Sequence, residues 1–404
     1  MLTVAQAWQA ISEHIQPRAA TTCSLDASLG RILAEDIHSD IDSPPFDKSM
    51  VDGFAIRCAD LKPDARLEIL ECVLAGQTPR QIVRPGTATQ IMTGAPVPEG
   101  ADAVVMVEDC ETDTDSSFVT IGGSTRQPGA HIMRRATALA KDAVVIQAGN
   151  KVRPVELGVM AEVGCVNVPV YCQPTVGVIS TGDELVDASE MPTAGLIRNS
   201  NGPLLSALVM QSGAIAHGLG IVRDDQQALQ EIIHTGLEND VLLLSGGVSA
   251  GTKDYVPAVL QQCNVEEIFH KVQLKPGKPL WFGVTHRSNH TCLVFGLPGN
   301  PVSSLVCYLL FVAPALAAIQ GQPQPPTDEI QGILTTRFTL RGDRPTYYPA
   351  RSQWENGKLA VTPLAWKGSA DQKTLAAANC LAFFHPPQQV YDVGESITLF
   401  PFPW

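Results

Sequence analysis

The chain has 404 residues, 45% of them hydrophobic, with a mean hydropathy of +0.07 and a formal net charge of −13. These values exclude a disordered chain. The acidic balance excludes a sequence-independent nucleic-acid binder, which needs a basic surface, although a few lysines can still build a local anion pocket.

Residues 3–15 read as an amphipathic helix, with Val4, Trp8, Ile11 and Ile15 on one face and Thr3 with Gln6 as a capping box. Met1 to Gln16 carries no basic segment followed by an apolar core, so no secretory leader is expected. Ser43-Pro44-Pro45 breaks the chain, and short strands are expected at 67–74, 89–92, 103–107 and 118–121. Turns at Pro85-Gly86, Pro98-Glu99-Gly100 and Gly122-Gly123 separate them, which makes an all-β module of about 90 residues. A helical pattern returns at 154–164.

From Thr175 strands and helices alternate: strands at 175–179, 214–222, 240–244 and 292–296, helices at 203–211, 225–237, 254–262 and 301–313. That order predicts a three-layer, doubly wound α/β unit. Asn201 and Pro203 suit the cap and first turn of its first helix. The apolar run Leu305 to Ile319 is shorter than the ~20 residues of a membrane span and contains Pro314, so it predicts a buried helix and its exit. No membrane association is expected. Pro323, Pro325 and Pro326 mark a linker, and the remaining residues, with turn signals at Gly342, Gly357, Gly368 and Gly394, predict a small β-barrel or sandwich.

Ten cysteines are scattered with no C-x-x-C pair, as in a reduced, cytoplasmic protein. His286 and His290 lie beside Cys292, but in a turn and without a further ligand, so zinc is not expected there.

The chemistry concentrates in three glycine-rich loops that follow strands of the α/β unit. The first is Ser180-Thr181-Gly182-Asp183-Glu184, the second Ser245-Gly246-Gly247-Val248-Ser249, the third Leu297-Pro298-Gly299-Asn300-Pro301-Val302-Ser303. In a parallel sheet all three emerge at the carboxyl edge, where backbone N–H groups cradle phosphates. If the sheet is doubly wound, Glu184, Asp224, Asp225 and Asp254 converge on the same crevice, and two or three carboxylates with phosphate oxygens and water suit Mg²⁺. Aspartates at helix starts are also routine caps, and Asp225 or Asp254 could do only that. Lys271, Lys275 and Lys278 gather around a proline-fixed turn that suits an oxyanion or pyrophosphate, or else a solvated lysine turn. Gly246 to Lys253 approaches a P-loop, but Thr252 stands where lysine is required. No G-x-S-x-G elbow occurs.

Two further strings lie earlier: Pro44-Pro45-Phe46-Asp47-Lys48-Ser49-Met50-Val51-Asp52-Gly53-Phe54-Ala55, and Ile91-Met92-Thr93-Gly94-Ala95-Pro96-Val97-Pro98-Glu99-Gly100-Ala101-Asp102-Ala103. Taken with the three loops and Lys275-Pro276-Gly277-Lys278-Pro279, they resemble, in order, the motifs of the MoeA/gephyrin E-domain family, the molybdopterin molybdenumtransferases. The resemblance spans nearly the whole chain. It implies a multidomain α/β plus β protein: a discontinuous elongated domain (1–44 and 138–173), an inserted β-rich domain (45–137), a MoaB/MogA-like α/β domain (174–322) and a C-terminal β-barrel (323–404).

The activity it implies is insertion of molybdate into adenylylated molybdopterin, with Mg²⁺-assisted pyrophosphate cleavage and AMP release, in a cytoplasmic homodimer. Glu184, Asp224 and Asp254 would hold Mg²⁺, and Lys271, Lys275 and Lys278 would clamp phosphates and molybdate. Ser180, Thr181, Gly182, Ser245, Gly246, Gly247 and Ser249 would line the ligand site, with Pro298, Pro301 and Ser303 as a rigid oxyanion loop. Asp52 and Thr93 match positions that reach across from the partner subunit, and Arg344 and Ser369 resemble a molybdate-binding pair. A molybdopterin adenylyltransferase and molybdoenzyme-maturation proteins are the implied further partners. One departure is local: the family's Arg-Gly-Glu-Asp string has its last three positions here on Ala136, Thr137 and Ala138. Loss of that aspartate leaves open a weakly catalytic paralogue that carries the cofactor or assists assembly.

Overall fold

The computed structural model describes residues 1–123, 125–248, 255–287, 290–322, 329–386 and 388–403. The chain forms two compact units, one of Met1–Thr22, Gly30–Ala34 and Pro169–Trp404, the other of Cys23–Leu29 and Glu35–Val168.

The first unit is built on a six-stranded sheet. Its strands are β1 (Thr175–Thr181), β2 (Ile215–Val222), β3 (Val241–Ser245), β4 (Glu266–His270), β5 (Trp281–His286) and β6 (Thr291–Leu297), in the spatial order β2-β1-β3-β6-β5-β4. β1 runs parallel to β2 and β3, and β3 parallel to β6. β5 and β4 complete the sheet antiparallel. β3 is continuous apolar sequence because both of its faces are covered: Val241, Leu242, Leu243 and Leu244 are all fully buried. At ~1.5–3 kcal/mol per buried aliphatic side chain, this strand anchors the unit. The outer strand β2 carries His217, Gly218 and Gly220, and half of its residues are exposed.

Helices α1 (Asn201–Gln211), α2 (Gln226–Gly236) and α3 (Val256–Gln262) follow β1, β2 and β3 in sequence. The first loop does not lead directly into α1. A two-stranded parallel ribbon, Leu185–Val186 with Ile197–Arg198, intervenes. α4 (Pro301–Cys307) continues through a π-helical turn, Tyr308–Val312, into α5 (Ala313–Ile319). The helix therefore does not end at Pro314 as the sequence suggested. A proline ring clashes with the carbonyl four residues back, here Leu310, and the wider π turn at that point relieves the clash. Pro301–Ile319 is long and apolar enough to cross a membrane, yet two-thirds of it (67%) is buried inside the fold.

The opening helix Val4–Ser12 is capped by Thr3 and Gln6 as expected, and it buries Ala7 and Ile11 in the same core as Leu205, Phe295 and Phe311. The C-terminal region is a closed five-stranded barrel of Ile330–Leu334, Lys358–Pro363, Thr346–Glu355, Cys380–Phe384 and Ser396–Pro401. Its Tyr347, Leu381 and Phe402 join that same core.

The second unit centres on a six-stranded sheet ordered Ala103–Met106, Gly53–Ile56, Thr87–Ile91, Ala65–Val73, Phe118–Ile121 and Cys110–Thr112. Its strand Gly53–Ile56 is entirely buried, although its sequence reads as part of a polar turn. Gly53 is required there: a Cβ would stand 1.8 Å from the Val105 carbonyl oxygen.

Candidate functional site

Because β1, β3 and β6 are parallel, the three glycine-rich loops leave the sheet at one edge. They are in contact. The Gly246 N–H donates to the Leu297 carbonyl at 3.1 Å, joining the second loop to the third. Gly246, at φ +100°, lies so close to the first loop that a Cβ would stand 2.4 Å from the Thr181 carbonyl oxygen. Only glycine fits both that backbone conformation and that approach. Gly247 is similarly confined, with Thr181 Oγ1 at 2.9 Å from a Cβ position.

Asn201, at the start of α1, ties the loops together. Its Nδ2 donates to Ser245 Oγ and to the Gly299 carbonyl, each at 2.7 Å. The carbonyl fixes which way the amide points, and it leaves Asn201 Oδ1 buried without a partner among the described residues. Thr181 Oγ1 is likewise buried and has no partner among the described residues. Ser180 Oγ donates to Asn199 Oδ1 at 3.0 Å, which in turn accepts the Gly202 N–H at 3.0 Å. Asn201 was expected as a helix cap. It is instead an internal bridge, because its position faces the sheet edge, while the cap position falls on Ser200. Unmet hydrogen-bonding groups at a sheet edge are a place for a polar ligand.

The described acids lie at this edge, Glu184 exposed on the first loop, Asp224 half-buried and Asp225 exposed just past β2. Glu184 folds back over Gly182, so that a Cβ there would meet Glu184 Oε2 at 2.5 Å. Asp224, just past β2, donates its N–H to Asp183 Oδ1 at 3.3 Å. Asp225 is a helix cap, accepting the Ala228 N–H at 2.8 Å. Ser249 and Asp254 lie outside the described residues. Among the described residues no group of three or more His, Cys, Asp or Glu side chains is placed to hold a metal. His286 Nδ1 is bound to Thr291 Oγ1 at 3.0 Å and His290 Nε2 donates to the Leu237 carbonyl at 3.2 Å.

The third loop also borders a cavity of about 780 Å³ between the α/β sheet and the barrel. Lys275, Lys278, Ser303, Arg344 and Ser369 all line it. Arg344 Nη1 donates to the Leu274 carbonyl at 2.9 Å, and Lys275 Nζ to the Arg341 carbonyl at 2.9 Å. The Val302 N–H donates to the Ser369 carbonyl at 3.0 Å, holding Ser303 beside Ser369. No ion pair involving these cations is present among the described residues. The cavity therefore presents uncompensated positive charge in an acidic protein. Tyr348 and Trp366 form an aromatic wall, ring centroids 5.2 Å apart, and burial pushes the Tyr348 phenol up. Lys271 is not on this lining. Its N–H pairs with the Leu280 carbonyl at 2.8 Å, beyond β4. Pro298 is buried, and its carbonyl accepts the Ser304 hydroxyl, while Pro301 opens α4.

Asp52 and Thr93, far apart in sequence, are partners in the second unit. Asp52 Oδ1 accepts both the N–H and the hydroxyl of Thr93, each at 2.7 Å. Those two bonds hold the Asp52 carboxyl below its usual range. Ala138 is exposed on a neighbouring loop, where its N–H donates to the Ser43 carbonyl at 2.9 Å. Ala136 in that loop has φ +62°, a conformation that favours glycine.

Three family models cover most of the chain: the MoeA N-terminal region (domain I and II) at residues 2–164, a probable molybdopterin binding domain at 177–318, and the MoeA C-terminal region (domain IV) at 331–402. A molybdopterin molybdenumtransferase of Bacillus subtilis (strain 168) is 32% identical over 393 residues, covering 95% of this chain and 90% of that protein. One from Haemophilus influenzae is 32% identical over 100% of this chain and 99% of its own length. The crystal structure of a molybdopterin biosynthesis MoeA protein from Pyrococcus horikosii superposes with a TM-score of 0.84 at 28% identity, covering 100% of both chains. The chain therefore belongs to the MoeA family of molybdopterin molybdenumtransferases, enzymes of molybdenum cofactor biosynthesis.

Proposed function

We propose that the chain inserts molybdate into adenylylated molybdopterin, cleaving the pyrophosphate bond and releasing AMP. The observation that carries this reading is the continuity of two features. The three-loop edge, with its unmet Asn201 and Thr181 oxygens, runs through the Pro298–Ser304 loop into the cationic cavity. The edge suits the phosphorylated pterin, whose phosphate oxygens take the backbone N–H groups of the glycine-rich loops. The cavity suits molybdate, a tetrahedral dianion, between Lys275, Lys278 and Arg344, with Ser303 and Ser369 as hydroxyl donors. Pro298 and Pro301 hold the intervening loop rigid, which keeps the two ligands in one relative orientation.

Glu184 and Asp224 fit a Mg²⁺ site. They are rim carboxylates beside a phosphate cradle, and this ion takes one or two carboxylates and completes its shell with phosphate oxygens and water. When bound, Mg²⁺ neutralises charge on the phosphoanhydride oxygens. Ser249 and Asp254 belong to the same reading, as do a homodimer in which Asp52 and Thr93 serve the partner subunit's site, and a cytoplasmic location.

A second reading rests on Ala138, which stands where the family has an acid: a paralogue that binds the pterin nucleotide but turns it over poorly. Glu184→Ala decides between catalysis and mere binding. The variant is expected to bind adenylylated molybdopterin and release no AMP. Rescue of a strain defective in molybdate insertion as well as by wild type would sink the catalytic reading of this rim.

A further inference from the structure

At the opposite edge of the mixed sheet, where β1, β3 and β6 begin, a second cavity of about 510 Å³ opens. That is within the ~300–1,000 Å³ of small-molecule sites. Its polar wall consists of His14, Arg18, Asp240, His286, Arg287 and His290, together with Thr291 and Gln16. Among the described residues Asp240 is the sole carboxylate of the lining, and it is already engaged. Its Oδ2 takes the Arg18 guanidinium, the Thr175 N–H at 2.7 Å and the Thr175 hydroxyl at 2.9 Å. Arg287 forms no ion pair among the described residues. His286 and His290 each commit one ring nitrogen, to Thr291 and to the Leu237 carbonyl. Ile15, Leu293 and Ile319 add an apolar wall.

We propose that this cavity binds a small organic phosphate monoester at a site separate from the catalytic edge. The Arg287 guanidinium, unpaired among the described residues, recognises phosphoryl oxygens through charge-assisted hydrogen bonds, and the uncommitted ring nitrogens of His286 and His290 on the same lining add further polar contacts. The apolar wall and the volume accommodate more than an inorganic ion, which selects an esterified phosphate over orthophosphate. β3 spans the two edges, and five residues at about 3.3 Å each place them about 17 Å apart, so the occupant does not touch the reacting groups. The proposal does not depend on the activity of the catalytic edge.

The test is calorimetric titration of the full chain with glycerol 3-phosphate and, separately, with orthophosphate. Wild type, Arg287→Ala and the double variant Lys278→Ala/Arg344→Ala are compared. Glycerol 3-phosphate is expected to bind wild type and the double variant equally, at least tenfold more weakly to Arg287→Ala, and more tightly than orthophosphate. Arg287→Ala is expected to keep wild-type AMP release. His290→Gln, which preserves a donor toward Leu237, is expected to weaken binding as well and stands in if Arg287→Ala does not fold. No binding to wild type, or binding lost only in the double variant, overturns the site. Equal affinity for the two ligands overturns the esterified class.

Discussion

Asn201 Nδ2 stands 2.7 Å from Ser245 Oγ, so the first helix of the α/β unit is bolted to the end of its central strand. The same nitrogen reaches the Gly299 carbonyl, and one amide thereby sets the spacing of two ligand loops. Asn201→Ala leaves the buried Ser245 hydroxyl and the part-buried Gly299 carbonyl without this donor. It is expected to destabilise the chain by about 1–3 kcal/mol and to lower AMP release more than tenfold. Asn201→Asp sets a carboxylate against the carbonyl and is expected to do worse. Unfolding midpoints and turnover measured on both variants check this, and wild-type values for Asn201→Ala contradict it.

The cationic cavity makes a separable prediction. Lys278→Ala and Arg344→Ala each remove a charge-assisted contact to the oxyanion. Each is expected to raise the KM for molybdate at least tenfold while leaving the affinity for adenylylated molybdopterin unchanged. Arg344→Ala also frees the Leu274 carbonyl and is expected to lower stability slightly as well. A change in pterin affinity with an unchanged molybdate KM would place the oxyanion elsewhere.

Ala136 holds φ +62°, in the left-handed region that favours glycine. A Cβ in the left-handed region costs roughly 1–2 kcal/mol, and part of that is offset by the greater freedom of glycine in the unfolded chain. Ala136→Gly is therefore expected to stabilise the second unit by about 0.5–1 kcal/mol, read as a higher unfolding midpoint. Ala138→Asp places an acid two residues on, where the resemblance implies one. Increased metal affinity and turnover in that variant identify a weakened site, and no change shows that the remaining acids suffice.

Acid should loosen the second unit in a specific way. Asp42 is held below its ordinary value of 3.8 by the Lys141 N–H and the Arg135 side chain, and Asp47 by the Arg135 N–H and the Arg134 side chain. A carboxyl whose folded value is depressed contributes stability that is complete above its unfolded value and is lost as pH falls through the folded one. The contribution is thus present at neutral pH and lost below about pH 4. Asp47→Asn is expected to lower the unfolding midpoint at pH 7 and to differ less from wild type at pH 3. A gap that stays constant or widens on acidification contradicts the pairing.

The strands and helices of the α/β unit that carry the loops were legible because burial on both faces of β3 leaves an uninterrupted Val241–Leu244 run, and because β1, β3 and β6 each run into a glycine-containing loop. The antiparallel pair β4 and β5 was not. The lysine-proline segment between them reads as an isolated turn, and nothing in Trp281–His286 announces pairing with β6. Gly53–Ile56 was hidden inside a motif whose polar neighbours suggest a loop. Lys275 and Lys278 were legible as a proline-fixed lysine turn suited to an oxyanion, whereas Ser303, Arg344 and Ser369 were named from the resemblance; all five line one cavity. Asn201 was named only as a cap, because side-chain bridges between distant loops leave no periodic trace. The π turn before Pro314 is invisible for a similar reason: it is a response to packing around one proline ring.

The most direct measurement is AMP release from adenylylated molybdopterin by the purified chain with Mg²⁺, with and without molybdate. Release that requires molybdate is the result predicted. Tight binding of the nucleotide with no release in the presence of molybdate contradicts the account and assigns the chain to cofactor carriage.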